Sequence, residues 1–250
     1  MMAVNKFLLF VVLSFSTIIS KAGAKESTPL PGFKKVWIYG NTVNPTSVVI
    51  ILSGDGGWVL GVVHAAKQLA KQNAMVIGVS CMPYIRHLRK LDIECYSTAT
   101  DIENLSIFIQ KKYHITNYIK PIILGYSLGA TLAYGIIAQA PAHTFKGAIA
   151  LGFCYDLELP KPLCKGAGLE CSNRVKKSYD LLPSRHITDP FIIIQGVNDR
   201  MCKFCLAKDF VNQTTNAEII GLPDIRHGSL GLRKWMPKIL EAYRKVLETK

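Results

Sequence analysis

Three residues could together turn a hydroxyl group into a nucleophile: Ser127, His227 and Asp199. Ser127 stands in Gly125-Tyr126-Ser127-Leu128-Gly129, a G-x-S-x-G pattern. An apolar strand-like run (Ile122 to Tyr126) precedes it and an apolar helix-like run (Leu128 to Gln139) follows. Such a corner exposes a serine hydroxyl above a sheet edge, with a helix N-terminus behind it. The glycines are expected because side chains there would collide with the adjoining strand and helix. The plainer alternative is a buried, hydrogen-bonded structural serine.

A serine hydroxyl needs a base, and the base needs an orienting carboxylate. In this arrangement the chain order is serine, acid, histidine. Of six histidines, His64 and His114 fall in or at the end of helices, and His143 in a helix-to-strand loop. His186 precedes a strand, and His87 lies in an arginine-rich loop. Only His227 follows the last strand and precedes the last helix, where the base must sit. Asp199 follows the apolar strand FIIIQ in the loop GVNDR and is favoured as the acid. Asp156, just past the preceding strand, is its rival, and Asp224 reads as a turn residue.

Attack on a carbonyl also needs two N–H donors for the developing oxyanion. Leu128, directly after the serine, is one candidate. The other lies in the loop Ser53-Gly54-Asp55-Gly56-Gly57-Trp58, as the amide of Gly54 or Asp55. A carboxylate beside an oxyanion opposes catalysis unless it points away or meets a cation, so Asp55 is a candidate for receiving a cationic part of the substrate. An Asp55 that caps the following helix is an equal alternative. Trp58 and Tyr126 join Asp55 as substrate-binding candidates.

The elements that must position these groups alternate. Strands are expected at Val36–Tyr39, Val48–Leu52, Ala74–Ser80, Ile122–Tyr126, Ala148–Gly152, Phe191–Gln195 and Glu218–Ile220. Helices are expected up to Lys71 and over Thr100–Tyr113, Leu128–Gln139, Lys203–Asn212 and Leu230–Glu248. Residues 25–34 read as a polar lead-in and Pro83–Ser97 as an irregular basic stretch. Alternation implies a mostly parallel sheet with helices on both faces, whose site lies at the carboxyl ends of the strands. The polar excursion from Phe153 to His186 is longer than a connector and is expected to form a cap over the site.

The chain of 250 residues is 49% hydrophobic and 19% charged, a folded composition rather than a disordered one. Its formal charge of +13 favours anionic partners. The charges are scattered without nucleic-acid-binding spacing, so a phospholipid surface is expected and no nucleic acid. Lys6, the apolar run Phe7–Ile19 and Ala22-Gly23-Ala24 read as a signal peptide over residues 1–24. The alternative is an uncleaved anchor. A single domain then spans residues 25–250, and export to the periplasm follows.

Seven cysteines suit an oxidising destination. Cys164–Cys171 is the favoured disulfide, with Cys202–Cys205 or one of that pair bonded elsewhere. Cys202-Lys-Phe-Cys205 stands without a second knuckle, so no metal is expected. No cofactor is required.

SGDGGW after a buried strand, GYSLGA at the corner, and LP…H before the last helix resemble the bacterial virulence protein family of VirJ and the C-terminal part of AcvB. The resemblance implies an α/β-hydrolase fold, a periplasmic location and association with type IV secretion. It implies hydrolysis of lysyl-phosphatidylglycerol, an aminoacyl-phospholipid, with Ser127, Asp199 and His227 as triad. It also implies peripheral membrane contact and a secretion-system partner. The chain departs from the family where Thr131 replaces a further acid and where Asp224-Ile225-Arg226-His227 replaces GGHH. A general carboxylesterase and a non-catalytic binding or chaperone module of a secretion system are the two other readings.

Overall fold

The computed structural model describes residues 20–173, 175, 177–228 and 232–249. Most of the signal-peptide reading, residues 1–19, lies outside them. Ten strands and six helices follow in chain order. They are β1 (Ser20–Ser27), β2 (Lys35–Gly40), β3 (Ser47–Leu52), α1 (Leu60–Ala70), β4 (Ala74–Val79), α2 (Cys81–Leu88), α3 (Thr98–Lys112) and β5 (Ile122–Tyr126). Then come α4 (Leu128–Gln139), β6 (Gly147–Leu151), β7 (Asp156–Glu158), β8 (Ser178–Asp180), β9 (Phe191–Gly196), α5 (Phe204–Asn212), β10 (Ala217–Leu222) and α6 (Leu232–Glu248).

Eight strands form one sheet in the order β1-β2-β4-β3-β5-β6-β9-β10. From β4 to β10 all neighbours are parallel, and β1 and β2 add an antiparallel edge. Continuous runs such as SVVIIL in β3 are buried on both faces, because helices cover both. Alternation assigns Val48, Ile50 and Leu52 to one core, shared with α2, α3, α4 and α5. Val49 and Ile51 enter the other, under α1 and α6. The expected α/β-hydrolase fold is therefore the observed one.

Two expectations are corrected. Residues 25–34 are not all lead-in, since Lys25–Ser27 pair with β2 within β1. The stretch Pro83–Ser97 is not irregular throughout, since α2 occupies its first part. Pro83 is the third residue of α2, in the first turn, where no intrahelical bond needs its missing N–H. The excursion 153–186, expected as a cap over the site, packs along α4 among the described residues. Its Leu163 meets Gly135, its Leu182 carbonyl accepts from Tyr134, and β7 and β8 form a small separate hairpin. Gln139 donates to the carbonyls of Tyr96 and Cys164, tying α3's approach, α4 and the excursion together.

The disulfides are Cys95–Cys164 and Cys154–Cys202. The expected Cys164–Cys171 bond is absent because Cys164 sits beside Tyr96, whereas Cys171 bridges to Leu181. Cys202 bonds elsewhere than to Cys205 because β6 and β9 are neighbours. Their exit loops bring the Cα atoms of Cys154 and Cys202 to 5.0 Å. Cys205, on α5, is an exposed thiol. Among the described residues no helix is long and apolar enough to cross a membrane.

Candidate active site

Ser127 joins β5 to α4 with φ 52° and ψ −118°, a left-handed-side conformation that a serine holds only under tertiary constraint. The two elbow glycines permit it. A Cβ on Gly125 would lie 1.9 Å from the Gly129 carbonyl oxygen, and one on Gly129 would lie 2.3 Å from that of Leu52. The helix beyond is buried at every position from Gly129 to Gln139, which fixes the corner rigidly.

His227 closes on this serine from the loop after β10. Its Nε2 is 2.9 Å from Ser127 Oγ, and its Nδ1 is 2.7 Å from Asp199 Oδ2. Gly152, at the end of β6 with φ 62°, makes room for the ring: a Cβ there would stand 3.1 Å from an imidazole carbon. Tyr126 stacks on the imidazole, with centroids 5.7 Å apart. Burial, then the charges of Asp199 and Asp55, push the Tyr126 hydroxyl up to about 12. It therefore stays neutral.

Asp199 carries a fully buried carboxylate with every direction occupied. Oδ1 accepts from the amides of Met201 and Cys202, each at 2.9 Å, while Oδ2 accepts from Gln195 Nε2 at 3.2 Å and faces His227. Hydrogen bonds on both oxygens hold the acid still. The rival Asp156 is exposed on β7, in register with Asp180, away from this network. Asp224 has φ 57°, as a turn residue should.

The loop after β3 lies against the serine. A Cβ on Gly54 would be 3.4 Å from Ser127 Cβ. The buried Ser53 hydroxyl donates to the Gly54 carbonyl at 2.9 Å, and Gly57 N–H reaches the same oxygen at 3.1 Å. A trans peptide held by its carbonyl presents its N–H on the opposite edge, which is that of Asp55. Neither that amide nor those of Gly54 and Leu128 donates to a protein group among the described residues. The Asp55 side chain is exposed and accepts from Gly56 N–H at 2.9 Å. It does not cap α1, whose N-cap is Val59 without a side-chain bond. Trp58, the other candidate in this loop, is half-buried. It stacks on Trp37 at 5.2 Å, donates to Tyr39 and covers Gly78.

Sequence reasoning missed Gln195, Ser53, Gly152 and the Cys154–Cys202 bond. Gln195 carried a usable signal: a polar residue in the apolar strand FIIIQ must find buried partners. It accepts from Phe153 N–H and donates to Asp199. Thr131, where the family resemblance suggested an acid, donates to the Cys154 carbonyl at 2.6 Å. Asp199, Cys202 and His227 also place three donor atoms within 4.8 Å. Cys202 is committed to its disulfide, so this is not a thiolate-bearing metal set.

The elbow serine, the histidine loop and the parallel sheet define an α/β-hydrolase fold. A Klebsiella pneumoniae structure described as a dienelactone hydrolase matches at a TM-score of 0.63 and 13% identity, over 91% of this chain and 100% of its own. Est1E from Butyrivibrio proteoclasticus matches at 0.55 and 12%, over 91% and 100%. An alpha-beta serine hydrolase homologue from Coxiella burnetii matches at 0.54 and 15%, over 88% and 96%. Identities this low speak for the fold. Residues 46–151 match the family described as bacterial virulence protein (VirJ). The resemblance read from the motifs thus holds over the span carrying the SGDGGW loop and the serine corner. No curated protein matches the chain in sequence.

Proposed function

We propose that the protein is an exported serine esterase acting on an aminoacyl-phospholipid, with lysyl-phosphatidylglycerol as substrate. The observation that carries the chemistry is the continuous hydrogen-bonded line Ser127–His227–Asp199. Ser127 attacks the ester carbonyl as His227 takes its proton. The amides of Leu128 and Asp55 receive the oxyanion, and His227 returns the proton to the leaving alcohol. Asp199 holds the imidazole tautomer. Water activated by His227 then releases the acyl group and frees the serine.

The substrate follows from the family resemblance and agrees with two features of the site. The exposed Asp55 carboxylate, next in sequence to the Gly54 that lies against Ser127, suits a lysyl ammonium group. Val59, Val197 and Met201 are exposed apolar side chains on the two loops that carry Asp55 and Asp199, which suits a lipid. Participation in type IV secretion belongs to the same reading.

The test is release of free lysine from lysyl-phosphatidylglycerol by the purified protein, with Ser127→Ala beside it and a panel of short-chain esters in parallel. Lysine release by the wild type alone supports the reading. Turnover of short-chain esters without lysine release replaces it with a general carboxylesterase. No turnover, with secretion phenotypes intact in Ser127→Ala, replaces it with a binding module.

A further inference from the structure

A second site stands on the same rim of the sheet, three strands from the serine. Here a groove of about 420 Å³ runs between α2 and the turn that leads into β2. Lys25, Lys34, Lys35, Arg86 and Lys90 line it, with Trp37 at its side. No carboxylate lines it among the described residues, and none of these five cations forms an ion pair there. Five exposed, unpaired cations around one concavity make a locally positive surface that attracts an anion.

The groove is held open by structure on both walls. Phe33 stacks on Tyr84 of α2 with centroids 4.6 Å apart, stapling the turn to the helix. Thr28 fixes that turn, donating to the Phe33 carbonyl at 2.8 Å while its hydroxyl accepts from Leu30 N–H. Gly32, at φ 79°, permits the close approach to Tyr84 and His87. Lys34 and Lys35 are therefore presented from ordered backbone.

The groove also connects to the catalytic loops. Ser80 lines it and lies at the carboxyl end of β4. A Cβ on Gly57 of the oxyanion loop would be 3.4 Å from Ser80 Oγ. The next residue, Cys81, donates its amide to Ser53, which orients Gly54. β4 and β2 lie two and three strands from β5. At about 4.8 Å per strand, the groove is roughly 10–15 Å from Ser127.

We propose that this groove seats the phosphodiester of an anionic phospholipid head group, docking the protein on a lipid surface beside the catalytic rim. That the docked surface presents the substrate rests on the esterase reading; the docking itself does not. An anionic lipid is the favoured source over a free phosphate for two reasons. The cations come from β1, the start of β2 and the turn into it, and α2 and the turn after it, on different walls of a groove of about 420 Å³, rather than from one loop. The exposed apolar residues Val59, Val197 and Met201 stand on the same rim.

The test uses Ser127→Ala, which removes turnover, and vesicles of phosphatidylglycerol in phosphatidylcholine against phosphatidylcholine alone. Binding is read by co-sedimentation and by the intrinsic tryptophan fluorescence, to which Trp37 contributes. The expected result is binding to the anionic vesicles only, weakening as salt rises. Adding Lys35→Gln, Arg86→Gln and Lys90→Gln should weaken it roughly 100-fold, at the usual cost per basic residue near an anionic surface. The same three changes with Ser127 intact should leave the rate on a small neutral ester unchanged, which also shows that the variant folds. Equal vesicle binding by the triple variant and its parent overturns the proposal. So does full displacement of the vesicles by millimolar inorganic phosphate, which assigns the groove to the free ion. Tighter, groove-dependent binding of an oligonucleotide overturns it in favour of a nucleic acid. Groove-dependent lipid binding in a protein that hydrolyses no ester supports the groove and removes the substrate reading alone.

Discussion

His227 Nε2 stands 2.9 Å from Ser127 Oγ across 100 positions of sequence. Hydrogen-bond contact between base and nucleophile is the geometry that proton transfer requires. Ser127→Ala and His227→Ala should each lower kcat by roughly 10⁴–10⁶. The double variant should lose no more than the worse single, because the two act as one unit. Rates of the three variants on one soluble ester decide this. Additive losses would show that the two side chains do not share a step.

Asp199 has a more specific duty. Its Oδ2 accepts from His227 Nδ1, so Nε2 is left free of its proton and able to take one from the serine. Asp199→Asn presents an amide in that position and favours the wrong tautomer. A loss of about 10⁴ in kcat is expected. The amide oxygen can still accept from Met201 and Cys202, so the fold should persist. Asp156→Asn, on the exposed hairpin, should leave the rate unchanged. Measuring kcat and thermal midpoint for both separates catalysis from folding.

Ser53 is a positioning residue. It orients the Gly54–Asp55 peptide while accepting from Cys81 N–H at 3.1 Å. Ser53→Ala leaves that peptide held by Gly57 N–H alone and so less firmly oriented. A loss approaching the 10²–10³ of a missing oxyanion donor is expected in kcat, with KM nearly constant. A purely structural role would lower stability without this split, so kcat and KM are compared at a temperature where the variant is fully folded.

The meeting of Ser127, Asp199 and His227 was legible because only loops after parallel strands can reach the carboxyl rim, and His227 was alone among the histidines in occupying the last of these. The α4 boundaries, Leu128–Gln139, were likewise readable from an unbroken apolar run after the elbow. The cysteine pairing was not. Cys154 and Cys202 meet because β6 and β9 are adjacent, and strand order is a tertiary fact that spacing does not contain. The α2 helix was hidden for a local reason. Pro83 and the basic cluster suggested a loop, yet proline is harmless in a first turn, and Tyr84, Ile85 and Leu88 supply the buried face. The packing of Trp58 was not legible either: the missing side chain of Gly78 leaves space that its ring fills, and Gly78 lies on a strand distant in sequence.

The Cys154–Cys202 bond ties the loop after β6 to the loop that bears Asp199. Cys202 itself donates to the Asp199 carboxylate. Replacing both cysteines by serine removes a cross-link over 48 positions, worth on the order of 4 kcal/mol in the chain-entropy account. It also loosens the acid. The double variant should unfold at a lower temperature and lose kcat even where folded. The corresponding change at Cys95 and Cys164, which fastens the excursion to the approach to α3, should lower stability alone. Thermal midpoints and kcat at a common folded temperature distinguish the two bonds.

Glu26 joins the edge strand β1 to α3 through Lys112 and Tyr113. Those two hydrogen bonds, that to Lys112 first, hold its carboxyl below the ordinary value of 4.5. A carboxylate whose folded pKa is lowered stabilises the fold above its unfolded pKa, and that stability is lost as pH falls through the folded value. Glu26→Gln should therefore melt below the wild type at neutral pH, and the gap should close as the pH drops under about 4.5. For a largely solvated pair the gap is under about 1 kcal/mol, which at this size corresponds to no more than about 2–4 °C. It should also shrink in high salt. Thermal midpoints of both proteins from pH 7 to pH 3 check the sign. A gap that widened toward acid would mean that Glu26 is protonated in the fold and that β1 is held to α3 by something other than this ion pair.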